Sequence, residues 1–123
     1  MDKACLTNLS IFQDIRRIRA HDLARSVRFY LAVGCEARLS GDGWVQLCSG
    51  DTLFMLEHGD TNAPSGRIAP ELNSRNLLHL CRRLWAAGID TSPISYPAWS
   101  PAGRITTSDP DRHPLSISQA ESR

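Results

Sequence analysis

Two stretches of this chain read as amphipathic helices of one design, and their spacing constrains the fold more than any other feature. The first spans about residues 22–33. Asp22 can accept the free N–H groups of its first turn, Leu23, Val27, Tyr30 and Leu31 recur on one face, and Gly34 ends it. The second spans about residues 76–87, with Asn73 or Ser74 as cap. Its apolar stripe is Leu77, Leu80, Cys81 and Leu84, flanked by Trp85, and Gly88 ends it. Gly34 and Gly88 stand 54 residues apart, which sets a period.

Each helix sits in the same surroundings. A strand over residues 13–20 precedes the first, and strands over 35–39, 44–48 and 52–57 follow it, with turns at Gly41, Gly43 and Ser49-Gly50-Asp51. A strand over 67–72 precedes the second, and strands over 89–95, 104–108 and 115–118 follow it. The order strand, helix, three strands therefore occurs twice. We expect one domain over residues 1–123, with repeat one at about 12–58, a linker at about 59–66 and repeat two at about 67–119. The fold class expected is α+β: two βαβββ repeats forming a curved mixed sheet, with helices on the convex side and a concave inner face. A half of about 55 residues buries too little surface to stand alone. The halves must pair within a chain or swap between chains of a dimer.

Composition narrows the function. The formal net charge is +1 and the basic residues are dispersed, so nothing steers the protein to nucleic acid or an anionic membrane. No apolar run approaches the roughly 20 residues that span a bilayer, and residues 1–10 lack the pattern of a secretory signal. A cytoplasmic location is the expectation. Cys5, Cys35, Cys48 and Cys81 form no C-x-x-C pair and read as free, mostly buried thiols.

The segment from His21 to Tyr30, with Asp22-Leu23, Ser26 and Phe29-Tyr30 followed by Val33-Gly34, resembles the first helix of the vicinal oxygen chelate superfamily, the glyoxalase/bleomycin-resistance/dioxygenase group. Asp109-Pro110-Asp111 before the last strand resembles that family's final hairpin, although Arg112 stands where a glycine is usual. Gly43-Trp44, Gly50-Asp51, Met55-Leu56-Glu57, Ala87-Gly88-Ile89 and Tyr96-Pro97 look like the bleomycin-resistance branch. The resemblance covers about residues 12–119.

It also implies where metal-dependent members carry their ligands, and those positions fail here. Seven residues before Asp22 stands Ile15, which cannot coordinate. Arg67 precedes Ile68-Ala69 where a ligand belongs, and its permanent cation repels a divalent ion. Seven residues after Asp109 stands Ser116. Glu57 remains, and one carboxylate does not make a site for a transition metal. His21, His58, His79 and His113 share no spacing that points two rings at one ion. We expect no metal and no cofactor.

Alternation along the strands assigns the inner face. With Ile18 and Ala20 toward the helix, Ile15, Arg17 and Arg19 face the cup. With Val45 and Leu47 toward the helix, Trp44, Gln46 and Cys48 face it. Ser116 and Ser118 alternate with Leu115 and Ile117. The fourth strand is ambiguous: either Leu53, Met55 and Glu57 point inward, or Phe54 and His58 do. Tyr96 and Trp99 lie on a loop over residues 95–102 that could act as a lid. The candidate ligand-binding set is thus Arg17, Arg19, Trp44, Gln46, Phe54, Glu57, Arg67, Tyr96, Trp99 and Ser116. Structural alternatives stand beside it. Trp44 could pack on a dimer partner, Trp85 could belong to the core or an interface, Trp99 could be a surface residue, and Arg17 or Arg19 could pair with Glu57.

Aromatic faces stack on flat molecules and arginines bind oxyanions. Bleomycin is a cation, so a basic inner wall fits a planar neutral or anionic aromatic molecule better. The function expected is metal-independent binding and sequestration of an aromatic, drug-like molecule, as in antibiotic resistance, by a homodimer with its sites at the subunit interface. A metal-independent isomerase or lyase is the alternative, with Glu57 or a histidine as base and Arg19 or Arg67 stabilising an oxyanion. No recognisable base–nucleophile pair accompanies them. A metal enzyme with displaced ligands and a scaffold with an empty cup are the remaining alternatives.

Overall fold

A computed structural model describes residues 16–59 and 71–120. The described elements run β1 Arg16–Ala20, α1 Leu23–Ala32, β2 Glu36–Gly41, β3 Trp44–Ser49, β4 Thr52–His58, β5 Glu71–Ser74, α2 Leu77–Ala86, β6 Arg104–Ser108 and β7 Pro114–Gln119. Helix α1 starts because the Asp22 carboxylate accepts the Arg25 N–H at 3.1 Å. It stops because Gly34, at φ 104°, adopts a left-handed turn that costs a side chain energy; Gly88 does the same after α2 at φ 81°. The cap of α2 is Asn76, whose side-chain oxygen accepts the His79 N–H at 3.0 Å, and neither Asn73 nor Ser74 takes that part. Asn73 belongs to β5 instead, where its backbone pairs with β7.

The strands form two sheets, in the orders β1-β4-β3-β2 and β5-β7-β6. In each, the first strand runs parallel to the last, and the last runs antiparallel to its other neighbour. The duplication read from the glycine spacing is therefore present in the topology. The segment 89–95 differs from expectation. It lies along β6 through two isolated bridges, Thr91 to Thr107 and Ser95 to Arg104, and is not a strand. Pro93 has no N–H to give a ladder, and the Ser92 hydroxyl accepts the Thr106 N–H at 2.9 Å, where a backbone carbonyl would otherwise do so.

One core joins the two halves. It gathers Phe29, Tyr30 and Val33 of the first helix region with Leu47, Phe54 and Leu56, and Leu77, Leu80, Cys81 and Leu84 of the second helix with Leu72, Ile105, Leu115 and Ile117. Each fully buried side chain of this kind contributes roughly 1.5–3 kcal/mol. Polar ties reinforce the joint. The Asn73 N–H donates to Ser49 Oγ at 3.2 Å, Thr52 Oγ1 donates to the Glu71 carbonyl at 2.9 Å, and Arg83 Nη2 donates to the Ala32 carbonyl at 3.3 Å.

The Asp109-Pro110-Asp111 turn is the most heavily bonded of these ties. The Tyr30 hydroxyl donates to Asp109 Oδ2 at 2.8 Å, and His113 Nδ1 lies 2.8 Å from the same atom. Asp109 Oδ1 accepts the N–H groups of Asp111 and His113. Burial and the Asp109 charge push the Tyr30 hydroxyl far above the usual phenol range. Asp111 approaches the start of α1 through the His21 N–H and the Ser26 hydroxyl. A turn of the second half thus closes on the helix of the first. Arg112 keeps the left-handed geometry of the glycine it stands for, at φ 69°, which costs an L residue roughly 1–2 kcal/mol.

Cys35, Cys48 and Cys81 are buried and free, whereas Cys5 lies outside the described residues. Burial, with Cys48 nearby, pushes the Cys35 thiol up to about 12, so it stays protonated and unreactive at neutral pH.

Candidate functional site

Each sheet has one face in the core and one face turned away from it. On the first sheet, register places Trp44 opposite Glu57, and Glu57 opposite Arg19. Gln46 stands opposite Met55, which stands opposite Arg17, and Cys48 stands opposite Leu53. These residues share the face away from α1. Ile18, Ala20, Leu47, Phe54 and Leu56 fill the other face. The ambiguity of the fourth strand resolves toward Leu53, Met55 and Glu57.

Phe54 is accordingly a correction to the candidate set. It is 0% exposed, and its ring meets Tyr30 edge-on at 5.2 Å between centroids. Its parity along β4 is opposite to that of Glu57, so it packs beneath the helix and reaches no ligand.

Arg17, Asp42, Gly43, Trp44, Met55, Glu57 and His58 line a cleft of about 510 Å³ on the exposed face. The Trp44 indole packs against Gly41, where any side chain would collide with its ring nitrogen. That contact holds the indole half-buried, with the cleft beside it. Arg19 packs its methylenes against Gly59. Among the described residues the ion pairs are Arg38–Glu36 and His113–Asp109, so neither Arg17 nor Arg19 is tied to Glu57. Glu57 is half-buried and open to the cleft.

On the second sheet, Glu71, Ser116 and Thr106 stand in one row across the strands, and Asn73, Ser118 and Arg104 in the next. Ser116 Oγ accepts from Arg104 Nη2 at 2.5 Å, and the Arg104 guanidinium lies over the Trp99 ring, 4.6 Å from its centroid. Trp99 also lines a cleft of about 250 Å³ with Glu71, Asn73, Ser100 and Ser118. Tyr96 is 67% exposed, with its ring edge beside Gly103. Arg67 and Ile15 lie outside the described residues.

The structure thus sorts the candidates into two groups. Arg17, Arg19, Trp44, Gln46 and Glu57 occupy one sheet face, and Trp99 and Ser116 the other, with Tyr96 on the loop beside them. The clefts at Trp44 and Trp99 share no lining residue. Arg104 was missed. The signal was in its own strand: with Ile105 and Thr107 toward the core, Arg104 must point the other way.

Buried polar atoms single out these faces. Among the described residues, the buried side-chain nitrogens and oxygens without a hydrogen-bond partner are Nε2 and Oε1 of Gln46 and Nε of Arg104. One residue belongs to each exposed sheet face. Buried polar groups are nearly always paired, and each orphan costs about 1–3 kcal/mol. A larger cleft, about 800 Å³, lies on the helix side between Arg25, Arg28 and Phe29 of α1 and the Thr106–Pro110 segment. It holds no such orphan.

Among the described residues, the positions that the resemblance assigns to metal ligands are Glu57 and Ser116, and one carboxylate does not make a transition-metal site. Ser116 already accepts a hydrogen bond from a guanidinium, so a cation occupies the neighbourhood where a ligand carboxylate would sit. Asp109, Asp111 and His113 bring three ligand atoms within 4.8 Å of one another. Both oxygens of Asp109 are already engaged with Tyr30, His113 and two backbone N–H groups, which makes the group a structural lock.

No protein-family model and no curated protein sequence matches the chain. Solved structures do match. A bleomycin resistance determinant encoded on transposon Tn5 aligns with TM-score 0.66 at 19% identity, over 88% of this chain and 97% of its own. TnmS3, an antibiotic binding protein from Streptomyces sp. CB03234, aligns with TM-score 0.65 at 20% identity, over 87% and 95%. The fosfomycin resistance protein FosX from Listeria monocytogenes aligns with TM-score 0.66 at 15% identity, over 87% and 91%. With strand–helix–strand order repeated in its two halves and these neighbours, the chain has the fold of the vicinal oxygen chelate superfamily, the fold of the bleomycin-resistance proteins.

Proposed function

We propose that this protein binds a small aromatic, drug-like molecule without a metal and withholds it unchanged, as an antibiotic-sequestering protein does. The observation that carries this reading is the Trp44 face. An indole packed on Gly41 stands beside a cleft of about 510 Å³ with Arg17, Met55 and Glu57. A flat ligand stacks on the indole while its polar edge pairs with donors and acceptors around it. Structural neighbours named for bleomycin resistance and antibiotic binding support the same use of the fold.

The Trp44 and Trp99 clefts lie apart on one chain and both open outward. A homodimer that brings the Trp44 face of one copy against the Trp99 face of the other encloses a ligand between two aromatic walls, and this is the assembly we propose. Glu57 shares its cleft with Arg17 and His58. An isomerase or lyase with Glu57 as its base would return an altered ligand, which separates that reading from binding.

Tryptophan fluorescence and melting temperature, followed against a panel of aromatic antibiotics and metabolites with chelator present, test the reading. A genuine ligand at a hundred times its Kd adds about 2.7 kcal/mol of stability. Trp44→Ala should weaken it roughly tenfold, by loss of stacking and buried area. A panel that produces neither quenching nor a melting shift rejects the proposal.

A further inference from the structure

Arg104 forms no ion pair among the described residues. It opens β6 on the exposed face of the second sheet, where its Nη2 donates to Ser116 Oγ and its guanidinium carbon lies 4.6 Å from the Trp99 ring centroid. Its Nε is buried with no acceptor. The carboxylate on that face, Glu71, stands in register with Ser116, and the ion pairs among the described residues do not include Arg104. A guanidinium that is partly desolvated and fixed at two points, with no ion pair among the described residues, is costly to keep. It is also preorganised, since the entropy of ordering its long side chain is lost at folding and not at binding. Trp99 remains 65% exposed, so its indole offers surface beside the cation.

We propose that Arg104, clamped between Trp99 and Ser116, is the anion-recognising centre of the binding site and that the ligand is an aromatic oxyanion, a carboxylate or its sulfonate equivalent. The oxyanion accepts hydrogen bonds from the guanidinium donors that Ser116 leaves free, and the ligand ring lies along the exposed part of Trp99. Arginine suits this task because its planar fork matches two oxygens at once. The inference rests on the aromatic-binding reading above and adds the charge that the ligand carries.

Calorimetric titration with naphthoate and with naphthamide, the same ring bearing an acid or a neutral amide, tests it. The native protein should bind naphthoate about tenfold to a hundredfold more tightly than naphthamide, the range of one charge-assisted pair. Arg104→Gln should bring naphthoate down to the level of naphthamide and leave naphthamide where it was. Arg104→Lys should keep part of the preference, and Ser116→Ala should weaken naphthoate several-fold by freeing the guanidinium. Equal affinities in the native protein overturn the inference, as does a preference that survives Arg104→Gln; in both cases the aromatic-binding reading stands. If neither probe binds and the wider panel also fails, both fall. The comparison of acid with amide in the native protein can overturn the inference even if Arg104→Gln does not fold, and Arg104→Lys, which keeps the charge but loses the fork, then assigns the site: a preference that Arg104→Lys leaves unchanged overturns it.

Discussion

Replacing Asp109 by Ala should destabilise the protein by about 3–5 kcal/mol, the range for breaking a buried, multiply bonded charged group. The carboxylate is 5% exposed and serves the Tyr30 hydroxyl, the His113 ring and the N–H groups of Asp111 and His113. Removal strands four partners at once. It also unties the second-half turn from α1, so both halves should loosen together in one cooperative transition. Urea denaturation followed by circular dichroism measures this. Tyr30→Phe removes only the hydroxyl and should cost about 1–2 kcal/mol, because Asp109 keeps its other partners. An Asp109→Ala protein as stable as the native one would show that the turn is an ornament and that the halves are held by apolar packing alone.

Phe54→Ala should cost a similar amount, about 3–5 kcal/mol, as expected for emptying a fully buried aromatic site. Phe54 has no exposed surface and meets Tyr30 edge-on, so the cavity would open directly under α1. The same variant separates core from site. Measured well below its melting temperature, it should bind ligand with affinity within about twofold of the native protein, since the ring faces away from Trp44, Gln46 and Glu57. A large loss of affinity with little loss of stability would return Phe54 to the ligand face.

How much of this was legible in the sequence follows from which signals are local. Helix caps and terminal glycines act within one turn, so Asp22, Gly34 and Gly88 marked both helices within a residue or two. The cap of α2 was misplaced because Asn73, Ser74 and Asn76 are all competent caps, and only the pairing of β5 with β7 removes the first two of them. Strand faces were readable where apolar and polar residues alternate, as in Ile18-Arg19-Ala20 and Leu115-Ser116-Ile117. In Leu53-Phe54-Met55-Leu56 alternation is silent, and the choice fell to tertiary packing, with the Tyr30 ring selecting Phe54. Residues 89–95 have strand-like composition, but Pro93 breaks the ladder and side chains replace part of it. Arg104 escaped notice for a different reason. Its direction was readable from Ile105 and Thr107, but the neighbours that fix it, Trp99 and Ser116, are brought to it only by the fold. The separation of the Trp44 and Trp99 clefts was equally illegible, because it depends on how two sheets are placed in space.

We propose that stacking surface and fixed polar groups hold the ligand without a metal. Calorimetric titration of chelator-treated protein with an aromatic ligand from the panel, followed by chemical analysis of the recovered ligand, tests it most directly. The account predicts one molecule bound per chain, the same affinity with and without added divalent ions, and a ligand returned unaltered. Affinity abolished by chelation and restored by a divalent ion, or a ligand returned as a different compound, would contradict it.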